Sequence, residues 1–186
     1  MGGEIRIIGG QWKRTRLSVP DKPGLRPTPD RVRETLFNWL GQSLDGWSCV
    51  DVFAGTGALG LEAASRGATS VQLVEQDAAL VRALQALVQR LDATARVTVR
   101  RGDGVAWLRG LPAASVDLVL LDPPFDANLF EPALVAARAC VRPTGWLYLE
   151  SPQAWSEDSL AALGYGLHRH LKAGAVHAHL LQPLAG

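Results

Sequence analysis

The chain has 186 residues, 47% of them hydrophobic and 20% charged, with a formal net charge of +1. This size predicts one domain with at most a small appendage, and the composition is that of an ordinary soluble globular protein. No apolar run approaches the ~20 residues that a membrane-spanning helix needs, so we expect no membrane partner and a cytoplasmic location. Cys49 and Cys140 lie in apolar surroundings and are expected to be buried thiols rather than a disulfide.

The charge is unevenly distributed along the chain. Residues 1–33 contain eight Lys and Arg against three Asp and Glu, whereas residues 34–186 contain eleven against fifteen. A basic arm on an acidic body suggests that the arm meets a polyanion. Charge alone equally allows a solvated basic surface without a partner.

The chain begins with a predicted β-hairpin. Two short runs, residues 5–8 and 12–19, flank the pair Gly9-Gly10, which is typical of two strands joined by a turn. A helix is expected after a proline-rich connector, with Thr28 as its N-cap and Pro29 in its first turn. Helical spacing gives the face that packs on the body, with Arg33 at its rim: Val32, Leu36, Trp39 and Leu40. Hairpin and helix form a predicted extension, residues 1–46.

Strands and helices alternate in the remainder, residues 47–186, which we expect to be the catalytic domain. The strands are near-continuous apolar runs, which predicts a parallel sheet covered on both faces. Only three residues, 172–174, join the last two strands, so this pair must be antiparallel. We predict a Rossmann-like α/β fold with a mostly parallel seven-stranded sheet and one antiparallel strand. The predicted strands are Cys49–Phe53, Ser70–Val74, Arg96–Val99, Val116–Leu121, Gly145–Leu149, Tyr165–Leu171 and Ala175–Leu181. The predicted helices are Ala58–Arg66, Ala78–Leu91, Gly104–Leu108, Leu129–Val141 and Glu157–Leu163.

A glycine-rich loop follows the first strand of this domain. Gly55, Gly57 and Gly60 spell G-x-G-x-x-G, and Glu75 lies at the end of the second strand. The glycines let the backbone approach a ligand closely, and Glu75 can accept both ribose hydroxyls of an adenosine cofactor. A structural turn without a ligand is the alternative. The candidate cofactor-binding residues are Asp51, Phe53, Gly55, Thr56, Gly57, Glu75, Gln76, Asp103 and Gly104.

Asp51 distinguishes between two adenosine cofactors. The pyrophosphate of NAD is bound by helix N–H groups and would be repelled by a carboxylate four residues before the first glycine. S-adenosylmethionine has no phosphate and carries an ammonium and a sulfonium, so an acidic pocket suits it. Asp103, after the third strand, can accept from the adenine amine, cap the next helix, or do both. We therefore predict S-adenosylmethionine as the cofactor.

The tetrapeptide Asp122-Pro123-Pro124-Phe125 directly follows an apolar strand and is the predicted catalytic segment. Ligands of an open parallel sheet bind beyond the carboxyl ends of the strands, so this segment is expected beside the glycine loop. Its prolines remove two backbone donors and fix its path. The remaining acceptors, with the Phe125 ring to stack on, suit a flat base that bears an NH2 group. A rigid turn with a core Phe is the alternative.

These residues resemble a known family. Asp51 to Gly57 resembles the first cofactor motif of class I methyltransferases, and residues 122–125 resemble the D-P-P-Y/F of amino-methyltransferases, with Phe in place of the more common Tyr. Residues 6–12, 25–28 and 30–39 resemble the RsmD family. The resemblance extends to about residue 181. It implies the class I methyltransferase fold and methylation of a guanine N2 in 16S ribosomal RNA, free or within the small subunit or an assembly intermediate.

The arm is predicted to grip RNA phosphates without reading sequence, with Trp12 as a stacking platform. Arg33 differs from the other candidates, because a residue at the rim of this helix can face the active site instead of the RNA backbone. The candidate RNA-binding residues are Arg6, Trp12, Lys13, Arg14, Arg16, Arg26, Arg31 and Arg33. We expect a monomer.

Other functions stay open at this point. A DNA or RNA amino-methyltransferase acting on adenine N6 shares the chemistry, an NAD-dependent oxidoreductase shares the glycine pattern, and a non-catalytic RNA-binding protein would retain the arm. A metal site is not expected, because no Cys or close carboxylate completes a site with the histidines of the last two strands. These are expected to be exposed: His168, His170, His177 and His179.

Overall fold

A seven-stranded sheet forms the centre of the structure, a computed structural model that describes residues 2–186. Two strands of an N-terminal hairpin precede it, β1 (Gly3–Arg6) and β2 (Arg16–Val19). The sheet strands are β3 (Ser48–Asp51), β4 (Ser70–Glu75), β5 (Val97–Arg101), β6 (Val116–Leu121), β7 (Val141–Ser151), β8 (Tyr165–Ala173) and β9 (Val176–Pro183). The helices are α1 (Asp30–Leu40), α2 (Ala58–Ser65), α3 (Ala78–Arg90), α4 (Gly104–Gly110), α5 (Phe130–Cys140) and α6 (Glu157–Ala162).

The strand order across the sheet is β5-β4-β3-β6-β7-β9-β8. The pairs β3–β4, β4–β5, β3–β6 and β6–β7 are parallel, whereas β9 runs antiparallel to both β7 and β8. The predicted mostly parallel sheet with one reversed strand is confirmed. The chain moves outward from β3 in one direction and then crosses to β6 on its other side. The carboxyl ends of β3 and β6 therefore form the switch point where open α/β sheets bind ligands.

Alternate residues of the strands fill cores on the two faces of the sheet. Cys49 belongs to the core beneath α2 and α3, whereas Val50 belongs to the core beneath α4, α5 and α6. Both faces are therefore apolar, as expected for strands buried between two helical layers. Cys49 and Cys140 are both free and buried, as predicted. No helix within residues 2–186 combines the length and apolarity needed to cross a bilayer.

Strand β7 is longer than its apolar run indicates. We predicted it to begin at Gly145, but it begins at Val141, which pairs with Val116 at the start of β6. The pairing then shifts register between Val116 and Leu118. Residues 142–144, Arg-Pro-Thr, lie in this irregular part of the strand and are exposed. Their composition is that of a loop, so the sequence pattern indicated a turn where the structure has an irregular strand.

The hairpin is fixed to the helix that follows the glycine loop. The backbone N–H groups of Ile8 and Gly9 both donate to the Glu62 carboxylate at 2.9 Å. Gly10 has a φ of 77°, and a Cβ there would lie 1.9 Å from the carbonyl oxygen of Ser65. Only glycine permits this close approach. Ile7 is buried in the same core as the sheet residues, so the arm packs as part of the body.

Helix α1 begins without the cap that we predicted. Pro29 occupies the N-cap position and no side chain caps the helix. The Thr28 hydroxyl instead donates to the carboxylate of Glu150 at the end of β7. Thr28 is 3% exposed, so its hydroxyl serves a long-range contact rather than the local one that is typical of threonine before a helix.

Candidate active site

Asp51 ends β3 and lies directly before the glycine loop. Its Oδ2 accepts a hydrogen bond from the N–H of Gly60 at 3.1 Å, and the side chain is buried. Burial raises its pKa to about 7; the Gly60 N–H opposes this shift, and the negative charges of Glu75 and Glu150 add to it. A cation bound here would restore the ionised form.

The glycine loop and Glu75 are held together by hydrogen bonds. Gly55 and Gly57 have φ values of 55° and 82°, which favour glycine. One oxygen of Glu75 accepts from the N–H of Gly55 at 2.8 Å, and the other accepts from the N–H groups of Gln76 and Asp77 at 2.8 and 3.0 Å. These bonds orient the carboxylate at the end of β4. The oxygen that accepts from Gln76 and Asp77 has both lone pairs in use, whereas the oxygen that accepts only from Gly55 keeps acceptor capacity for a ligand hydroxyl.

The other cofactor candidates surround this loop with different degrees of exposure. Thr56 is buried, Phe53 is half-buried and Gln76 is exposed. Asp103 is exposed and its carboxylate accepts from the N–H of Ala106 at 2.7 Å, so it caps α4. A Cβ at Gly104 would lie 2.2 Å from the Val52 carbonyl oxygen, so glycine lets α4 pack closely against the end of β3.

The catalytic segment lies next to the glycine loop in space. Leu120 of β6 pairs with Asp51 of β3, which places Asp122 and Asp51 at the same edge of adjacent strands. Pro123 is buried and Phe125 is 36% exposed. The Phe125 ring lies outside the two buried cores, which argues against a core phenylalanine. Its centroid lies 6.2 Å from that of Phe130, with an interplanar angle of 46°.

Glu150 is a site residue that the sequence reasoning missed. It ends the apolar run of β7, and the pairing of Leu121 with Leu149 places it beside Asp122. The two carboxyl groups lie within hydrogen-bonding reach of each other, and the Thr28 hydroxyl donates to Glu150 while also lying within reach of Asp122. The sequence does show an acidic residue at the end of an apolar strand, as it does for Asp51 and Asp122. Assigning Glu150 to the site also requires that β7 lies next to β6, and the sequence alone does not give this strand order.

Burial and mutual repulsion disfavour the ionisation of this pair. The pKa of Asp122 lies well above its ordinary value because of burial first, and then because of the charges of Glu150 and Asp51. Burial also raises the pKa of Glu150, while hydrogen bonds from Thr28 and Asp122 lower it. Two carboxyls at hydrogen-bonding distance cannot both ionise without a large cost.

Arg33 is a correction to the predicted RNA-binding set. Its side chain is fully buried, and its guanidinium donates to Glu62 at 3.2 Å and to the carbonyl oxygens of Thr28 and Arg6 at 3.1 and 2.9 Å. It also pairs with Asp30. A group enclosed in this way reaches neither an RNA phosphate nor the active site. Its function is to hold the connector, the hairpin and α2 together.

Trp12 is the second correction in the arm. It is 8% exposed and packs in the core, with the Arg96 guanidinium 5.1 Å from its ring centroid. A base cannot stack on a ring that is covered in this way. The other basic candidates are exposed and available to a polyanion: Arg6, Lys13, Arg14, Arg16, Arg26 and Arg31.

The histidines of the last two strands differ in exposure. His168 and His170 are exposed as expected, but His179 is fully buried. Its Nε2 accepts from the N–H of Trp155 at 3.1 Å, and its Nδ1 lies 3.2 Å from the carbonyl oxygen of Leu149. Because a carbonyl only accepts, Nδ1 carries the proton and both ring nitrogens are used. Residues 2–186 contain no group of three or more side chains arranged to bind a metal.

Known proteins resemble this chain over nearly its whole length. A family model described as conserved hypothetical protein 95 matches residues 5–182. The ribosomal RNA small subunit methyltransferase D of Escherichia coli strain K12 is 42% identical over 187 residues, which cover 97% of this chain and 90% of that protein. The protein of the same name from Haemophilus influenzae is 36% identical over 183 residues, which cover 90% of this chain and 95% of that protein.

The fold is also similar to a solved structure. The yhhF protein of Escherichia coli superposes with a TM-score of 0.83 and 36% identity, covering 99% of this chain and 100% of that chain. The family match and these identities extend through both the arm and the body. The chain therefore belongs to the family described as conserved hypothetical protein 95, which is the RsmD family that its motifs resemble.

Proposed function

We propose that this chain transfers a methyl group from S-adenosylmethionine to the exocyclic N2 amine of a guanine in 16S ribosomal RNA. As a member of the RsmD family, it is an rRNA methyltransferase. The proposal is carried by the position of residues 122–125. They directly follow β6, and the neighbouring strand β3 ends at Asp51, just before the glycine loop. Acceptors for an amine beside a pocket for a cation are what methyl transfer from sulfonium to nitrogen requires.

The chemistry of the pocket fits S-adenosylmethionine. Asp51 would hold the cationic amino-acid end, and the Glu75 oxygen that accepts from Gly55 would also accept a ribose hydroxyl, beside a loop that Gly55 and Gly57 keep free of side chains. Asp103 would offer its second oxygen to the adenine amine while it caps α4. Because the pKa of Asp51 is about 7 and a cation favours the ionised carboxylate, affinity is expected to rise with pH through neutrality.

The catalytic segment is suited to a base amine. The Asp122 carboxyl and the Pro123 carbonyl would accept its two hydrogens and draw the nitrogen toward tetrahedral geometry, while the exposed Phe125 ring stacks on the base. Once bound, the cofactor supplies an electrophilic methyl group on a positively charged sulfur. Negative charge near Asp122 then favours the positive nitrogen that forms. A cavity of about 330 Å³ is lined by Phe130, whose ring neighbours that of Phe125, and by residues 151–156 after β7, and it would give a base room outside its stack.

The exposed basic residues of the arm are proposed to hold the RNA backbone. Arg6, Lys13, Arg14, Arg16 and Arg31 are exposed, and they lie on the segment that carries the excess of positive charge. Contacts of this kind position a nucleic acid without reading its sequence. We further propose that the chain acts in the cytoplasm as a monomer, without a metal, on the small subunit or its assembly intermediate.

The test is methylation of defined RNA substrates with labelled S-adenosylmethionine. Small subunits and naked 16S rRNA, both from a strain that lacks its own enzyme, are incubated with the protein, and the modified nucleotide is mapped by mass spectrometry. One methyl group on a guanine N2 is expected, and the Asp122→Ala variant should give none. Label on adenine N6, on DNA, or on no nucleic acid would contradict the proposal.

A further inference from the structure

The pair formed by Asp122 and Glu150 lies between the catalytic segment and the arm. Asp122 is partly exposed at the end of β6, whereas Glu150 is 2% exposed at the end of β7. The hydroxyl of Thr28 donates to Glu150 and also lies within hydrogen-bonding reach of Asp122. The carbonyl oxygen of Thr28 in turn accepts from Arg33 at 3.1 Å. Glu150 is therefore the more deeply buried member of the pair, and Asp122 is the member with exposed surface.

Among residues 2–186, no Lys or Arg forms an ion pair with either carboxyl of the pair, so no cation there favours ionisation of both. Asp51, itself next to Glu75, faces the pair from β3 and adds negative charge. Tyr148 lies near it on β7, fully buried, and its hydroxyl has no hydrogen-bond partner among the described residues. Arg33 donates to the carbonyl of Thr28, but its ion pairs are with Glu62 and Asp30 and not with Asp122 or Glu150. One proton shared between the two carboxyls relieves their repulsion.

Methylation of an amine releases a proton, and the site must accept it. The amine nitrogen starts with two hydrogens and gains a methyl group, so it becomes positive and must lose one proton to give the neutral product. A carboxylic acid whose own proton points inward has its other oxygen free to accept that proton. Asp122 is in this position when its proton is directed at Glu150.

We propose that Glu150 is a positioning residue that shares one proton with Asp122 and so turns Asp122 into the acceptor of the amine proton. Before transfer the pair holds one proton and carries one negative charge. As the nitrogen–carbon bond forms and the sulfur–carbon bond breaks, the amine proton moves to the outer oxygen of Asp122, and the inner proton moves to Glu150. The pair ends neutral, so its lost negative charge balances the lost positive charge of the sulfonium. After the product leaves, the partly exposed Asp122 returns the extra proton to water.

This inference rests on the proposed function for its substrate, but the shared proton can be measured without substrate. The cofactor-free protein is labelled with ¹³C at the side-chain carboxyls, and the signals absent from Asp122→Asn and from Glu150→Gln identify the pair. In the wild-type protein these signals should titrate in two separated steps, of which the second lies above the ordinary carboxyl range. In Glu150→Gln, Asp122 should titrate in one step at lower pH. A single ordinary step for each carboxyl in the wild type would overturn the proposal.

The second experiment measures single-turnover methyl transfer to the small subunit as a function of pH. Glu150→Gln should lower the rate about tenfold, which is less than the roughly 10²–10⁴-fold that a positioned acid or base contributes, because Asp122 itself remains. In the wild type the rate should fall as pH rises through the second titration step, because the shared proton is lost. Glu150→Gln should not show this fall. Asp117→Asn removes a carboxylate at the opposite end of β6, where it accepts from Ser48, and should keep the wild-type profile. A Glu150→Gln profile equal to that of wild type would overturn the proposal.

A further variant keeps the test decisive if Glu150→Gln does not fold. Thr28→Val leaves both carboxyls in place and removes the hydroxyl that stabilises ionised Glu150. Its first titration step should move to higher pH, and the rate should fall with it at low pH. Steps that do not move would contradict the inference. A wild-type protein that shows the two steps but methylates no RNA would contradict the proposed function and leave the shared proton established.

Discussion

Arg33 of α1 and Glu62 of α2 form an ion pair in which neither side chain is exposed, with 3.2 Å between Nη1 and Oε2. Glu62 also accepts from Arg66 at 2.9 Å and from the backbone of Ile8 and Gly9. One carboxylate therefore joins the hairpin, α1 and the helix that follows the glycine loop. Buried charges are tolerated because all of their partners are present.

Removal of Arg33 should destabilise the fold and leave RNA electrostatics unchanged. Arg33→Met is expected to lower the free energy of unfolding by about 3–5 kcal/mol, because it leaves part of the Glu62 charge unpaired in the interior. Arg31→Met on the exposed face of the same helix should change it by no more than about 0.5 kcal/mol. Urea denaturation measures both. A stable Arg33→Met protein with weaker RNA binding would restore Arg33 to the RNA-binding set.

Glu75 should control cofactor affinity. Glu75→Ala removes the expected ribose acceptor and frees the Gly55 N–H, so S-adenosylhomocysteine should bind more weakly by about 1.5–3 kcal/mol. Glu34→Ala, which removes an exposed carboxylate of α1, serves as the control. Calorimetry measures the affinities and should detect no binding of NAD to either variant. Unchanged affinity in Glu75→Ala would show that the pocket lies elsewhere.

Asp122 should separate chemistry from cofactor binding. Asp122→Ala removes the acceptor of the amine, so methyl transfer is expected to fall by at least about 10²-fold. The dissociation constant for S-adenosylhomocysteine should change little, because Asp51 and Glu75 carry that contact. Single-turnover kinetics and calorimetry on one preparation provide the comparison. Transfer within a few-fold of the wild-type rate would refute the acceptor role.

The arm should make RNA binding sensitive to salt. Lys13, Arg14 and Arg16 are exposed, and each phosphate contact contributes a slope of roughly 0.7–0.9 to the logarithmic dependence of affinity on salt. Replacing all three with Ala should flatten this slope and raise the RNA KM without affecting cofactor binding. A double variant, Arg109→Ala with Arg142→Ala, removes exposed charges outside the arm and should keep the slope. If the triple variant and the double variant show the same salt dependence of RNA affinity, the hairpin has a structural role and does not bind RNA phosphates.

His179 should make stability depend on acidity. Burial lowers its pKa from 6.5 to about 4, so between these values the unfolded chain binds a proton that the folded chain does not. Stability is therefore lost as pH falls from about 6.5 to 4, by about 3 kcal/mol at most. His179→Gln should remove this part of the pH dependence, whereas His168→Gln at an exposed position should not. Thermal unfolding across this pH range measures the difference.

The sequence predicted the fold well because the apolar runs of the strands are long and the glycines mark the turn at the switch point. It predicted single side chains less well. Spacing placed Arg33 at the rim of an apolar face, but the partner that buries it, Glu62, is 29 residues away and on another helix. Trp12 lies within a basic run, but it packs in a core built from residues far along the chain, with Arg96 over its ring. Glu150 was missed for the same reason, since its neighbour Asp122 becomes adjacent only when the strands are ordered.

The close approach of Gly10 to Ser65 has a consequence for the choice of nucleotide. Helix α2 begins at the glycine loop with Ala58 and ends under the hairpin with Ser65. Its eight residues span about 12 Å. At its end the Ser65 carbonyl accepts from the N–H of Gln11 at 2.7 Å, and at its start the Gly57 carbonyl accepts from the N–H of Leu61 at 2.9 Å. The helix thus acts as a spacer of fixed length between the basic hairpin and the cofactor pocket. An RNA held by its phosphates at one end would present to the other only the base at the matching distance, so geometry rather than base sequence would select the methylated position.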